Sequence, residues 1–99
     1  VINILKQHLP GTTIERNLMQ TAKGGYDFSL FNKYACEVKR RAKGKSYLTA
    51  WWQQAVTQAD DVGMRPVLFY RFDRKPWRVV TQSQQFDTIE QFLAVGCDA

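Results

Sequence analysis

Two acidic residues and a lysine are spaced to do chemistry in this chain: Asp27, and ten positions later the triplet Glu37-Val38-Lys39. Both segments read as β-strands, and residues two apart on a strand share a face, so Lys39 stands beside Glu37. Two carboxylates can hold a hard divalent cation such as Mg²⁺ or Mn²⁺; Mg²⁺ takes oxygen ligands at roughly 2.0–2.1 Å and keeps several waters. Asp27 and Glu37 would supply two ligands. The backbone carbonyl of Val38, between Glu37 and Lys39, is a third candidate. Lys39 would orient or help deprotonate a water, or contact a phosphate. Together these residues form a minimal set for metal-dependent phosphodiester hydrolysis. Glu-x-Lys by itself is frequent on solvated strands, and the same three residues can also be read as a surface ion pair.

The charge balance suggests where phosphates would come from. The chain has 99 residues and a formal net charge of +5. Lys33, Lys39, Arg40, Arg41, Lys43 and Lys45 crowd one stretch in which Glu37 is the only acid. Arg71, Arg74, Lys75 and Arg78 form a second cluster diluted by Asp73, and after Arg78 the chain turns acidic with Asp87, Glu90 and Asp98. Clustered Lys and Arg are the electrostatic footprint of a polyanion binder. The alternative is a solvated surface with a chance excess of lysine. No apolar run approaches the roughly 20 residues of a membrane helix, and no signal peptide is recognisable. Cys36 and Cys97 lack metal-ligand spacing and read as free thiols in a reducing cytoplasm. Val1–Leu5 resembles the interior of a helix, so residues upstream of Val1 are expected.

The elements that must position this set follow from periodicity and punctuation. A chain this short is one domain, residues 1–99, burying only about two-thirds of its unfolded surface. Val1–Leu9 reads as a helix stopped by Pro10-Gly11, and Thr12–Leu18 as a strand. After the Gly24-Gly25 turn, Tyr26–Phe31 alternates Tyr26, Phe28 and Leu30 against Asp27, Ser29 and Phe31, a half-buried strand. Tyr34–Arg40 is the next strand, with Ala35, Glu37 and Lys39 on one face. A basic loop, Arg41–Lys45, leads to Ser46, the expected N-cap of a helix over Tyr47–Asp61 ended by Gly63. Leu48, Trp52, Ala55 and Ala59 read as its core side, with Trp51, Gln54 and Gln58 on an adjacent face. Pro66–Arg71 and Trp77–Thr81 are strands, and Phe86–Val95 is an amphipathic helix. The order α-β-β-β-α-β-β-α predicts an α/β sandwich in which the central helix crosses over a short mixed sheet. The aromatic residues belong mainly to the core; Trp77, beside a basic turn, is the best candidate to stack on a base. His8 has no partner spacing that suggests a role.

Hairpin register tests the proposed set. A two-residue turn at Asn32-Lys33 would place Asp27 opposite Val38, on the face away from Glu37 and Lys39. The site therefore requires an odd-length loop or a bulge, which Gly24-Gly25 would make easy.

The runs Arg16-Asn17-Leu18-Met19-Gln20-Thr21, Gly24-Gly25-Tyr26-Asp27, Cys36-Glu37-Val38-Lys39-Arg40-Arg41 and Trp51–Ala59, continued by Pro66–Arg71 and Pro76–Val80, resemble phage-encoded Holliday-junction-resolvase-like nucleases of the PD-(D/E)xK superfamily. The likeness spans about Leu5 to Val80. It implies a restriction-endonuclease-like three-layer sandwich, metal ligation by Asp27 and Glu37, and Lys39 as the catalytic lysine. It also makes Gln54 or Gln58 a neighbour of the site, against the alternative of amides on a solvated face. The superfamily often carries a further acid on its first helix; here no acid precedes Glu15, which falls on the first strand, so that acid is expected upstream of Val1 or is absent.

The expectation is a Mg²⁺-dependent DNA endonuclease acting on Holliday junctions or other branched DNA. Lys23, Arg40, Arg41, Lys43 and Lys45 would contact backbone phosphates. Cutting both strands of a junction implies a homodimer, and a phage or prophage protein would work in the bacterial cytoplasm. The alternatives are a same-fold nuclease acting on non-branched DNA and an inactive or incomplete DNA-binding domain.

Overall fold

The computed structural model describes residues 1–11, 14–17 and 25–96. Helix α1 spans Ile2–His8, and the chain then turns through Gly11, whose φ is +82°. Three strands follow: β1 (Ile14–Arg16), β2 (Phe28–Leu30) and β3 (Tyr34–Arg41). Helix α2 (Thr49–Asp61) carries the chain to β4 (Arg65–Phe72), which continues into β5 (Arg78–Val80) and β6 (Gln85–Phe86). Helix α3 (Ile89–Gln91) runs on into a π-helical turn over Phe92–Gly96.

The six strands lie in one sheet in sequence order. Every neighbouring pair is antiparallel except β3 and β4, which α2 joins as a crossover. On one face Leu5 of α1 and Ile89 and Phe92 from the C-terminal helical segment pack on Phe28, Leu30, Tyr34, Cys36, Val67, Phe69 and Val79. On the other, Ala55 packs on Leu68, Tyr70, Phe72 and Val80, with Trp51 and Trp52 against them, while Ala59 closes on Ala35 and Tyr26. The result is three layers, as period-two alternation in β3 and β4 dictates.

Several elements depart from expectation. Helix α2 starts at Thr49, and its N-cap is Leu48 with no side-chain cap bond, not Ser46. Tyr47 is drawn instead onto the Tyr70 ring, 5.8 Å between centroids, which prolongs the preceding loop. Leu48, expected in the core, is 43% exposed, and Trp51 takes the inner position against Tyr70 and Phe72. Strand β2 is buried throughout rather than half-buried. Phe86 lies in a short sixth strand paired with Val79, not in a helix. The turn feeding β6 is closed by Thr81, which exchanges backbone and hydroxyl bonds with Gln84. Helix α3 begins only after Thr88, whose hydroxyl accepts from the Gln91 amide at 3.1 Å while the Gln91 side chain accepts from the Asp87 amide.

Phe69 is the centre of the α1-side core: fully buried, with ring centroids 5.8 Å from Phe28 and 6.0 Å from Phe92. Phe69→Ala should destabilise the fold by about 3–5 kcal/mol, measured as a lowered urea midpoint at unchanged m-value.

Candidate active site

Two backbone features set where Asp27 lies relative to Glu37. The first is the hairpin loop, which is three residues long because Leu30 pairs with Tyr34. It is closed by the Lys33 amide on the Leu30 carbonyl, with Phe31 and Asn32 in the left-handed region at φ 58° and 55°. By count this aligns Asp27 with Glu37. The second device is a bulge. Phe28 is the partner of Cys36, yet the Asp27 amide also turns onto the Cys36 carbonyl at 2.9 Å. Asp27 is thus an inserted residue. The insertion shifts the alternation, so Tyr26 packs on the α2 side while Phe28 and Leu30 pack on the α1 side. The expectation that all three share a face fails for this reason.

Where the ladder between β2 and β3 stops, the Asp27 carboxylate substitutes for a backbone acceptor. Its Oδ2 accepts from the Val38 amide at 2.7 Å. That bond holds the Asp27 carboxylate against β3 where the ladder ends. The Val38 carbonyl opens on that same side of β3. Glu37, one residue earlier, has a side chain only 6% exposed; its Oε1 lies 3.4 Å from Lys39 Nζ, and its buried Oε2 has no hydrogen-bond partner. Burial, reinforced by the charge of Asp27 and partly offset by Lys39, pushes the Glu37 carboxyl from 4.5 to about 7. The same causes, burial first, raise the buried Cys36 thiol, so it is an inert core residue.

A cleft of about 610 Å³ opens beside Asp27, lined also by Val1, Ile2, Arg16, Asn17, Phe28 and Val38. Glu37 and Lys39 do not line it. Arg16 reaches the cleft through strand pairing, Arg16 opposite Phe28, which no side-chain spacing announces. From α2, the Gln58 amide reaches the turn before Asp27: a Cβ on Gly25 would fall 2.5 Å from Gln58 Nε2. Gln54 is exposed. Arg40, Arg41, Lys43 and Lys45 are exposed, with Arg40 Nε 3.3 Å from Asp73 Oδ1. Lys23 and Cys97 lie outside the described residues. Trp77 sits against the α1-side core with the Arg71 guanidinium 5.6 Å from its ring, and His8 pairs with Glu90 at the surface.

Among the described residues no three His, Cys, Asp or Glu side chains gather as a metal cluster. The unpartnered buried oxygen on Glu37 is a donor of the type a hard ion that retains water takes, rather than part of a closed all-protein cage.

A family model described as "Phage putative PDDEXK endonuclease" matches residues 11–95, and the chain belongs to that family. The fold is restriction-endonuclease-like. The structure of Hjc from Archaeoglobus fulgidus, a Holliday junction resolvase from an archaeal hyperthermophile, superposes with a TM-score of 0.56 at 19% identity over 94% of each chain. No curated protein matches the chain by sequence.

The raised Glu37 carboxyl has a stability consequence. Stability is fully present below the unfolded-state value, declines as pH rises from 4.5 towards 7, and stays reduced above that. Glu37→Gln should therefore raise the melting temperature of the EDTA-treated protein at pH 8 by roughly 5 °C, and hardly at all at pH 5. A difference that is the same at both pH values contradicts a raised Glu37.

Proposed function

We propose that this protein is a Mg²⁺- or Mn²⁺-dependent DNA endonuclease that acts on Holliday junctions or related branched DNA. The observation that carries this reading is the bulged Asp27, fixed by the Val38 amide beside the buried Glu37–Lys39 pair. Family membership and a resolvase of the same fold support it.

Asp27, Glu37 and the Val38 carbonyl are the groups that would hold the ion. A bound divalent ion lowers the pKa of a coordinated water and offsets charge building on the phosphate. The chain's own residues do the rest. The Val38 amide fixes one Asp27 oxygen by a charge-assisted bond, which orients the carboxylate. Lys39 favours the ionised form of Glu37 and is placed to orient the attacking water or hold a phosphate oxygen. Arg16, at the cleft wall beside Asp27, is suited to a neighbouring phosphate. Gln58 supports the turn that delivers Asp27. Lys23, Arg40, Arg41, Lys43 and Lys45 would track the backbone without reading bases, so binding should fall steeply with salt. Symmetric cutting of a junction calls for two copies of the chain.

The test is cleavage of a synthetic four-way junction and a matched linear duplex in Mg²⁺ or EDTA. Junction cutting should require Mg²⁺ and fall at least ~100-fold in Asp27→Asn and Lys39→Ala. Cutting that persists in EDTA or in Asp27→Asn would sink the assignment. Equal cutting of the linear duplex would point to a same-fold nuclease of non-branched DNA, and tight binding without cutting to an inactive or incomplete binding domain.

A further inference from the structure

The basic segment between β3 and α2 is cation-rich and exposed, yet it is fastened to the sheet at four places. Its start is closed by the Asp73 amide, which donates to the carbonyls of Arg41 and Ala42 at 3.1 and 3.3 Å. Gly44 packs against the Phe72 ring, so close that a Cβ there would fall 2.4 Å from Phe72 Cε1. The Lys45 carbonyl accepts from Arg78 Nη1 at 3.1 Å. Tyr47 packs edge-on against Tyr70. The Arg78 guanidinium ties these together. It sits 5.9 Å from the Tyr70 ring centroid, with Nη1 3.5 Å from the Tyr70 hydroxyl, and Tyr70 is the register partner of both Arg78 and Lys39.

We propose that Arg78 is a positioning residue that straps the basic loop across the row Lys39–Tyr70–Arg78, so that Lys43 and Lys45 meet a DNA backbone already shaped to it. This rests on the nuclease reading, because it assigns the loop a polyanion. The physical reason is entropic. Ordering a loose loop on binding subtracts from affinity, and a loop fixed beforehand avoids that cost. Arg78 works through a main-chain carbonyl, so its forked guanidinium matters more than its charge. Lysine keeps the charge but cannot span the Lys45 carbonyl and the Tyr70 ring in the same way.

The loop is rich in trypsin sites, which gives a readout that needs no DNA. In Arg78→Lys, and independently in Gly44→Ala, native-state cleavage within Arg41–Lys45 should quicken severalfold while the melting curve stays cooperative. Binding of a labelled four-way junction in EDTA should weaken on the order of tenfold in both variants, with the slope of log K against log salt unchanged. Unaltered cleavage in Arg78→Lys would overturn the strap. Faster cleavage with wild-type junction affinity would overturn its role in binding. Wild-type affinity in Arg78→Lys, with a slope smaller by about 0.9 in Arg78→Gln, would make Arg78 a direct phosphate contact instead. Absence of DNA binding by the wild type would remove the nuclease reading, while the cleavage result would still judge the strap.

Discussion

The site depends on one hydrogen bond: the Asp27 carboxylate accepting from the Val38 amide at 2.7 Å. A strand amide with no partner would be an unsatisfied donor at the edge of a buried sheet. A carboxylate that fills the role is held far more tightly than one on a solvated turn. The bond also explains why the bulge persists. Inserting a residue breaks the β2–β3 ladder, and the side chain of that same residue restores the lost acceptor. Structure and chemistry are thereby coupled, since straightening the strand would both bury Asp27 elsewhere and strand the Val38 amide.

Glu37 shows the opposite balance. Its carboxyl is almost sealed from solvent, next to another carboxylate, with one oxygen unpartnered. Lys39 offsets only part of that penalty, so the carboxyl is pushed up to about 7. A group held this way gains from a neighbouring positive charge, which suits the metal-ligand role proposed for it. Such sites are commonly stabilised by the surrounding fold rather than by themselves. Here the aromatic packing of Phe28, Phe69 and Phe92 on one side and of Trp51, Tyr70 and Phe72 on the other provides that support.

Much of this was legible in the sequence because it follows from local periodicity. Alternation in Tyr34–Arg40 correctly separates Ala35 from Tyr34 and Cys36, and Gly63 ends α2 with φ +68°. The register condition was also legible as a condition, since parity alone forbids a two-residue turn. Which device meets it was not legible, because a bulge is decided by competition between backbone partners and the Asp27 side chain. The helix start was misplaced for a related reason. Ser46 has the right chemistry for a cap, but Tyr47 gains more from Tyr70, a residue far along the chain. Arg16 and Gln58 reach the site through strand pairing and close helix approach, which no motif records.

Strand β3 carries both the proposed chemical residues and the first of the proposed DNA-contact residues. Along its eight residues, burial grades from the fully enclosed Tyr34, Ala35, Cys36 and Glu37, through half-buried Val38 and Lys39, to exposed Arg40 and Arg41. A carboxylate near the dry end feels other charges strongly, and cations at the wet end can meet a polyanion at little desolvation cost. Lys39 lies at the crossing, still close enough to Glu37 for an ion pair at 3.4 Å and already one-quarter exposed, at 26%. That ordering requires β3 to end at the domain surface, with its last residues still in register with Arg71 and Phe72 of β4. The parallel pairing of β3 with β4 across α2 is what holds them there.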